Sequence, residues 1–212
     1  MSFRTRALLA TAAMALAASA QAAEPMASAG DLVVRARGIA VIPDESATIT
    51  PIGGDVGIDT AIMPELDFSY FVTDNVAFEL IAAVSPHDVR AIGTSIGDAD
   101  VGDLLLLPPT LTVQYHMPLS DDLKPYVGAG INATFFIDED AAGGVVTDVN
   151  ARDTIGWALQ AGVDYRLSGR WMFNVDVKRL FLDTKVKLNG GAIDARVNID
   201  PWIVGVGFGY RF

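Results

Sequence analysis

Cysteine is absent from the 212-residue chain, and histidine occurs only twice. Disulfide bonds, thiolate metal sites and a cysteine nucleophile are therefore excluded, and two histidines are too few for a histidine-rich metal site. We expect neither a metal nor a cofactor. Basic residues are also scarce, because 15 Lys and Arg stand against 26 Asp and Glu, which argues against nucleic acid as a partner.

A long apolar run is missing too, apart from one near the N-terminus that is too short to span a bilayer as a helix. Arg4 and Arg6 precede this run at 7–18, and small residues follow it. The pattern predicts a cleavable signal peptide over 1–22 and one mature domain over 23–212. The chain is nevertheless 51% hydrophobic, which is more apolar than most soluble domains.

The apolar residues alternate with polar ones. In 110–117 every even position is polar and every odd position is apolar, which is the two-residue period of a β-strand with two unlike faces. Runs of this kind predict eight strands near 31–42, 60–72, 75–85, 105–117, 123–137, 153–167, 170–184 and 195–212.

Short and long connections alternate between these strands. The short ones are 73–75, 118–122 and 168–169, and the long ones are 43–59, 86–103 and 138–153, with a shorter fourth loop at 188–192. Outer-membrane barrels combine tight periplasmic turns with longer outer loops in this way. The sequence therefore predicts an all-β protein, an eight-stranded antiparallel transmembrane β-barrel of the outer-membrane type, with both termini in the periplasm.

A soluble lipocalin-like barrel has a similar strand pattern but places its apolar face inside. Two observations favour an apolar outer face. Aromatic residues lie near strand ends, as expected of a membrane-interface girdle: Tyr70, Tyr165, Trp171, Tyr210 and Phe212. The chain also ends in Gly209-Tyr210-Arg211-Phe212, in which Tyr210 and Phe212 look like the outer-membrane assembly signal read by the barrel-assembly machinery.

Several segments, in order along nearly the whole mature chain, resemble the OmpW family of small outer-membrane barrels, a group that includes alkane-uptake porins. They are Met63-Pro64-Glu65-Leu66, Tyr70 to Asn75, Glu79 to Ala83, Pro86-His87, Leu107 to His116, Lys124 to Asn132, Trp157, Gln160-Ala161-Gly162, Asp200-Pro201 and Tyr210-Arg211-Phe212. The resemblance implies an eight-stranded barrel with a narrow, largely apolar channel that moves small hydrophobic molecules across the outer membrane. The long loops depart from the family and are expected to choose the ligand.

The two-residue period also assigns one set of side chains to the inside of the barrel, and this inward set is polar at one end of the strands and apolar at the other. Near the periplasmic ends it predicts a polar lumen plug of Arg35, Arg37, Asp67, Glu79, Gln114, His116, Asp164, Arg166 and Arg211. Near the outer ends it predicts an apolar ligand channel lined by Ile39, Val41, Met63, Ile81, Leu106, Phe136, Leu180 and Leu182. The interior of an eight-stranded barrel is just wide enough for side chains, so paired charges fill it.

An apolar molecule would enter from outside, meet the plug and leave sideways into the bilayer. Pro64, Pro108 and Pro109 are candidates for the lateral opening because proline lacks an amide donor for the strand ladder. The alternative is that these prolines only mark strand starts or bulges. The expected partners are membrane lipid and lipopolysaccharide, small hydrophobic solutes and the assembly machinery. The rival hypothesis is a structural or surface-interaction barrel with a closed lumen.

Two other interpretations, a catalytic triad and a divalent-cation site, have less support from the sequence. Ser85, His87 and Asp88 have the groups of a catalytic triad, but neighbouring strand residues face opposite sides, so we expect no enzymatic activity. Asp138-Glu139-Asp140 has ligands for a divalent cation, although a solvated charged loop explains it better. His116 is assigned to the plug and not to a metal.

Overall fold

The structure, a computed structural model, describes residues 25–212, and the predicted signal peptide lies outside them. Its strands are β1 (Leu32–Ile42), β2 (Ser46–Thr50), β3 (Asp55–Ile58), β4 (Ala61–Phe71), β5 (Val76–Ala83), β6 (Ser85–Ile92), β7 (Ala99–Leu107), β8 (Thr110–His116), β9 (Leu123–Ala141), β10 (Val149–Ala151), β11 (Thr154–Ser168), β12 (Trp171–Phe181), β13 (Asp183–Leu188), β14 (Ile193–Asn198) and β15 (Trp202–Arg211). A 3-10 turn, Asn189–Gly191, joins β13 to β14. Within 25–212 no helix is both long and apolar enough to cross a membrane.

Eight strands close into an antiparallel barrel in the order β1-β4-β5-β8-β9-β11-β12-β15, and β15 returns to β1. β1 and β15 pair from Val33 with Arg211 to Ile42 with Trp202. The start of β1 and the C-terminus therefore lie at the same end of the barrel as the three short turns. All three short turns were predicted from the sequence.

The faces of the barrel strands agree with the membrane hypothesis. On β8, Val113 and Tyr115 are 48% and 52% exposed, whereas Thr112 and Gln114 are 0% exposed. The apolar positions face outward and the polar positions face the lumen, which is the reverse of a soluble barrel. The predicted aromatic residues of the short-turn end are exposed or half-buried on the outer surface.

The long connections are not irregular loops, as the sequence suggested, but strands that extend beyond the barrel. The first outer sheet consists of β3, β6, β7 and the outer part of β9, and the second consists of β2, β10, β13 and β14. Their apolar faces pack against each other in one core, to which β7 contributes Leu104 and Leu106 and β14 contributes Ala195 and Val197.

Carboxylates bridge the two seams where the outer sheets meet. At one seam, Asp55 accepts a hydrogen bond from the Ala47 amide (2.5 Å), and Glu45 accepts one from the Ile58 amide (2.9 Å). At the other seam, Glu139 accepts from the amide of Ala151 at 3.0 Å. Glu139 therefore belongs to β9 and to a seam rather than to a solvated loop. The described residues contain no cluster of three or more side chains suited to hold a metal.

Prolines explain why several predicted strands were too long. The strand predicted at 105–117 is divided at Pro108-Pro109 into β7, which lies in the outer sheet, and β8, which lies in the barrel. The strand predicted at 195–212 is divided near Pro201. Alternation continues across these prolines, but the ladder does not, because proline cannot donate to it. The strand predicted at 170–184 also ends early, at Phe181, where the chain passes from the barrel into β13 of the second outer sheet.

Candidate functional site

The lower lumen is filled by a buried network of charges around Arg35. Its guanidinium donates to both carboxylate oxygens of Asp164, with Nε–Oδ1 3.0 Å and Nη2–Oδ2 2.7 Å. Nη1 donates to Asp67 at 3.1 Å and to Ser69 at 2.7 Å. Arg35, Asp67 and Ser69 are 0% exposed, so the network separates the two ends of the lumen.

Arg37 extends the network one layer higher. Its guanidinium contacts Asp67 at 2.6 Å and Glu79 at 3.1 Å, and its Nε lies 3.1 Å from Glu65. Lys178 then bridges Glu65 at 2.8 Å and Asp176 at 3.0 Å. Opposite charges in direct contact make these buried ionised groups tolerable, since each would be costly alone.

Neutral polar side chains fill the rest of this cross-section. Tyr126 donates to Asp176 at 2.6 Å, and Gln160 donates to the same carboxylate at 2.8 Å. Gln114 donates to Gln160 and contacts the His116 ring nitrogen at 2.9 Å. We call the buried set the polar plug: Arg35, Arg37, Glu65, Asp67, Ser69, Glu79, Thr112, Gln114, His116, Tyr126, Gln160, Asp164, Asn174, Asp176 and Lys178.

The first residues that the structure describes, which we call the N-terminal segment, cover the short-turn mouth below the plug. Met26 and Ala27 pack in an apolar cluster with Phe71 and Met172. Lys124 holds this segment by donating to the backbone oxygens of Ala27 and of the neighbouring turn, at 3.0 and 2.8 Å. The lower lumen is thus closed twice, by the segment and by the plug.

An apolar cavity lies above the plug. It measures about 70 Å³ as the volume open to the centre of a water molecule, which is several times the room that one water needs. Glu65 and Lys178, bonded to each other, are among its polar lining residues and form its floor. All eight predicted channel residues line it: Ile39, Val41, Met63, Ile81, Leu106, Phe136, Leu180 and Leu182.

The barrel wall beside this cavity lacks part of its ladder. β4 and β5 pair only up to Glu65 with Ala83, and β5 and β8 only up to Ile81 with Thr110. No ladder pair joins 61–64 to 84–87 in the described part of the chain. Pro64 lies on this unpaired margin, and Pro108 and Pro109 lie on the neighbouring one. We call the stretch between 61–64 and 84–87 the wall gap.

Ser85 and His87 stand at the wall gap and line the cavity. Ser85 Oγ lies 2.7 Å from His87 Nε2, and His87 Nδ1 lies 3.2 Å from the backbone oxygen of Asp59. A neutral ring protonated at Nδ1 donates to that oxygen, so Ser85 donates to Nε2. Asp88 is exposed on the other face, so no triad forms.

Two residues that the sequence predicted in the plug lie outside it. Arg166 and Arg211 are only partly buried and lie at the short-turn mouth, where they contact Asp122 and Asp31. Parity gives the face of a residue but not its height, which explains the error. Conversely, Glu65, Tyr126 and Lys178 were missed, although each shares the inward parity of its strand. Tyr210 and Phe212 meet edge to face outside the barrel, with ring centroids 4.8 Å apart.

The comparisons with known proteins agree with this architecture. The model of the OmpW family matches residues 28–212. The uncharacterized outer-membrane protein y4mB of Sinorhizobium fredii is 40% identical, with 84% of this chain and 79% of that protein covered. Outer membrane protein W of Escherichia coli is 35% identical, with coverage of 87% and 89%.

Among solved structures, OprG of Pseudomonas aeruginosa superposes with a TM-score of 0.81 at 32% identity, covering 89% of this chain and 99% of that one. Family match, sequence identity and barrel geometry all point the same way. The chain is therefore a β-barrel of the outer membrane and belongs to the OmpW family.

Proposed function

We propose that this barrel takes up small hydrophobic molecules from outside the cell through the apolar cavity and releases them sideways into the bilayer at the wall gap. The observation that carries the proposal is the position of the cavity. Its walls are apolar, its floor is a buried ion-pair network, and an unpaired stretch of wall runs beside it. An apolar solute is therefore favoured among the apolar walls of the cavity and disfavoured among the buried charges of the plug.

The cost of moving further down supports lateral release. An apolar solute crossing the plug would have to separate ion pairs such as Lys178 with Glu65 and leave both charges buried without partners. That costs several kcal/mol for each pair, about 3 to 5 by analogy with broken buried pairs. The N-terminal segment adds a second barrier. Leaving through the wall gap breaks no backbone ladder pair.

Access from outside is proposed to pass between the two outer sheets. Their seams are joined by side-chain bridges such as Glu139 to the Ala151 amide, and not by full backbone ladders. Such seams separate at lower cost than paired strands. A relative in Pseudomonas aeruginosa supports an apolar aromatic solute: it is the dibenzothiophene metabolism operon protein PahQ, 28% identical over 149 residues.

The experiment is uptake of a small apolar solute into vesicles that contain the purified barrel, compared with the variant L180E/F136E. Both side chains line the cavity, so the added charges should abolish uptake. V145E/I96E is the matched control because both of its sites are exposed on the outer part, at 60% and 59%. It should retain uptake.

A folded wild-type barrel that does not accelerate uptake of any hydrophobic solute would contradict the proposal. The second candidate function, a closed surface-interaction barrel, would then hold. One observation favours it: the outer sheets pack a continuous apolar core above the lumen.

The change of electrophoretic mobility on heating establishes that each variant is folded. I39W, which fills the cavity without adding charge, tests the route again if L180E/F136E does not fold.

A further inference from the structure

Three cations lie side by side on the exposed face of the second outer sheet. Lys185 on β13 pairs directly with Arg196 on β14. The Arg152 amide, just beyond β10, donates to the Lys185 backbone oxygen at 3.0 Å, which places Arg152 on the other side of Lys185. All three are exposed. We call Arg152, Lys185 and Arg196 the cationic row.

The arrangement is unfavourable for an isolated sheet. Neighbouring strands are about 4.8 Å apart, and like charges placed directly opposite each other destabilise their pairing. Within the described residues none of the three cationic side chains makes an ion pair or a hydrogen bond. The fourth position of the row, on β2, is the uncharged Thr48. The chain carries a formal net charge of −11, so acidic residues are abundant in the sequence. None of those within 25–212 is paired with the row.

The neighbouring residues of the same face do not neutralise the row. Lys187, one position along the exposed face, has Asp194 opposite it. Asp183 lies on the other side of the row, opposite Asn198. Asp148, just before β10, shares the parity of Arg152 and is a third carboxylate, at the far end of this face. Four cations and three carboxylates still leave the face positive. The exposed face of the first outer sheet has the contrary pattern, because Asp103 lies between Asp88 and Asp140 on adjacent strands.

The row lies just above the membrane-embedded surface. Lys185 follows the lipid-facing Phe181 by four residues, about 13 Å along an extended chain. Trp157 and Trp202 are 71% and 47% exposed at the same end of the barrel, where an outer aromatic girdle is expected. The cations therefore stand at the height of the polar head groups of the outer leaflet.

We propose that the cationic row binds phosphate groups of lipopolysaccharide. Two guanidinium groups flanking an ammonium group offer forked donors and a point charge to phosphate oxygens. A phosphate bound across the three strands replaces mutual repulsion by attraction to a shared anion. The row gives the barrel one side that binds lipopolysaccharide, whereas the matching row of the first outer sheet consists of carboxylates.

The test compares wild type with K185Q/R196Q in neutral phosphatidylcholine vesicles, with and without added lipopolysaccharide. The matched control is R90Q/R170Q, which removes two exposed arginines, one on the first outer sheet and one in a short turn. K185Q/R196Q should bind lipopolysaccharide about 10- to 30-fold more weakly at low salt, and the control should bind like wild type.

Two further measurements make the result decisive. Without lipopolysaccharide, K185Q/R196Q should unfold in urea at the same or a higher concentration than wild type, because repulsion has been removed. Lipopolysaccharide should raise the wild-type midpoint more than that of the variant. Equal affinity of variant and wild type, or equal binding of phosphate-stripped lipopolysaccharide by wild type, would overturn the proposal. If the double variant does not fold, R152Q provides the same comparison with one charge removed.

Discussion

Arg35 on β1 and Asp164 on β11 form a two-point hydrogen-bonded ion pair, at 3.0 and 2.7 Å, between barrel strands that are not neighbours. Because Arg35 also contacts Asp67 on the adjacent strand β4, one side chain ties three strands together through the lumen. Both side chains of the pair are buried away from water. Removing one of them should therefore cost more stability than removing one partner of a surface ion pair.

Replacing Arg35 by Ala should therefore destabilise the barrel by about 3 to 5 kcal/mol, because the carboxylate of Asp164 remains buried without its cationic partner and Asp67 keeps only Arg37. Urea unfolding in lipid vesicles measures the change. The control is R90Q, which removes an ion pair to Asp59 whose side chains are each 57% exposed and should change stability by less than about 1 kcal/mol. Similar losses for both variants would show that the network does not stabilise the fold.

The sequence predicted the plug because the two-residue period assigns each side chain to a face before any contact is known. Arg35, Arg37, Asp67, Glu79 and Asp164 were found in this way, and they are buried together. Which of them meet depends on the stagger between strands. Arg35 and Asp164 are 129 residues apart, and nothing local determines that they reach the same height.

The outer sheets were harder to predict than the barrel. Their strands are short, and the segment 43–59 contains Pro43, Pro51 and two adjacent glycines, which favour turns. β2 and β3 form there only because the core between the two outer sheets covers their apolar faces, including Ile49. A strand stabilised by such distant packing has little local signal.

The wall gap can be tested by closing it. Continuing the register of Glu65 with Ala83 places Pro64 opposite Val84, and both residues face outward. Since the chain has no cysteine, P64C/V84C introduces a single disulfide across the gap. Uptake of an apolar solute should fall on oxidation and return on reduction if release is lateral.

The control for this staple is F68C/L80C. Phe68 and Leu80 already face each other across the intact ladder between β4 and β5, so their disulfide adds no closure. Its oxidation should leave uptake unchanged. Undiminished uptake by fully oxidised P64C/V84C would place the exit elsewhere.

Glycine at position 162 leaves room for the Tyr126 hydroxyl. A Cβ atom there would overlap that hydroxyl, which donates to Asp176 at 2.6 Å within the plug. We expect G162A to cost about 1 to 3 kcal/mol through overpacking. G38A is the matched control because a Cβ atom at Gly38 meets nothing within 4 Å. It should be neutral or stabilise by up to about 1 kcal/mol, since alanine restricts the unfolded chain. Urea unfolding compares the two, and equal midpoints would contradict the packing argument.

Asp103 predicts how the outer sheets respond to pH. A hydrogen bond with Asp88 on β6 raises the pKa of the Asp103 carboxyl above its ordinary value of 3.8, and the charges of Asp88 and of Asp140 on β9 raise it further. The folded state then binds more protons than the unfolded state above that ordinary value. Folding of the first outer sheet should be favoured below it, and this contribution should be lost as pH rises through the folded-state pKa.

Amide hydrogen exchange of β6 and β7, corrected for the intrinsic rate, should therefore show more protection near about pH 4 than at pH 7. D103N carries no titrating group at this position and should have a smaller dependence on pH. D121N, at an exposed site in a short turn, should keep the wild-type dependence. The carboxyl resonance of Asp103 provides the direct test. Titration at or below the ordinary aspartate value would mean that the three carboxylates do not interact, and the repulsion inferred from their alignment across β6, β7 and β9 would have to be abandoned.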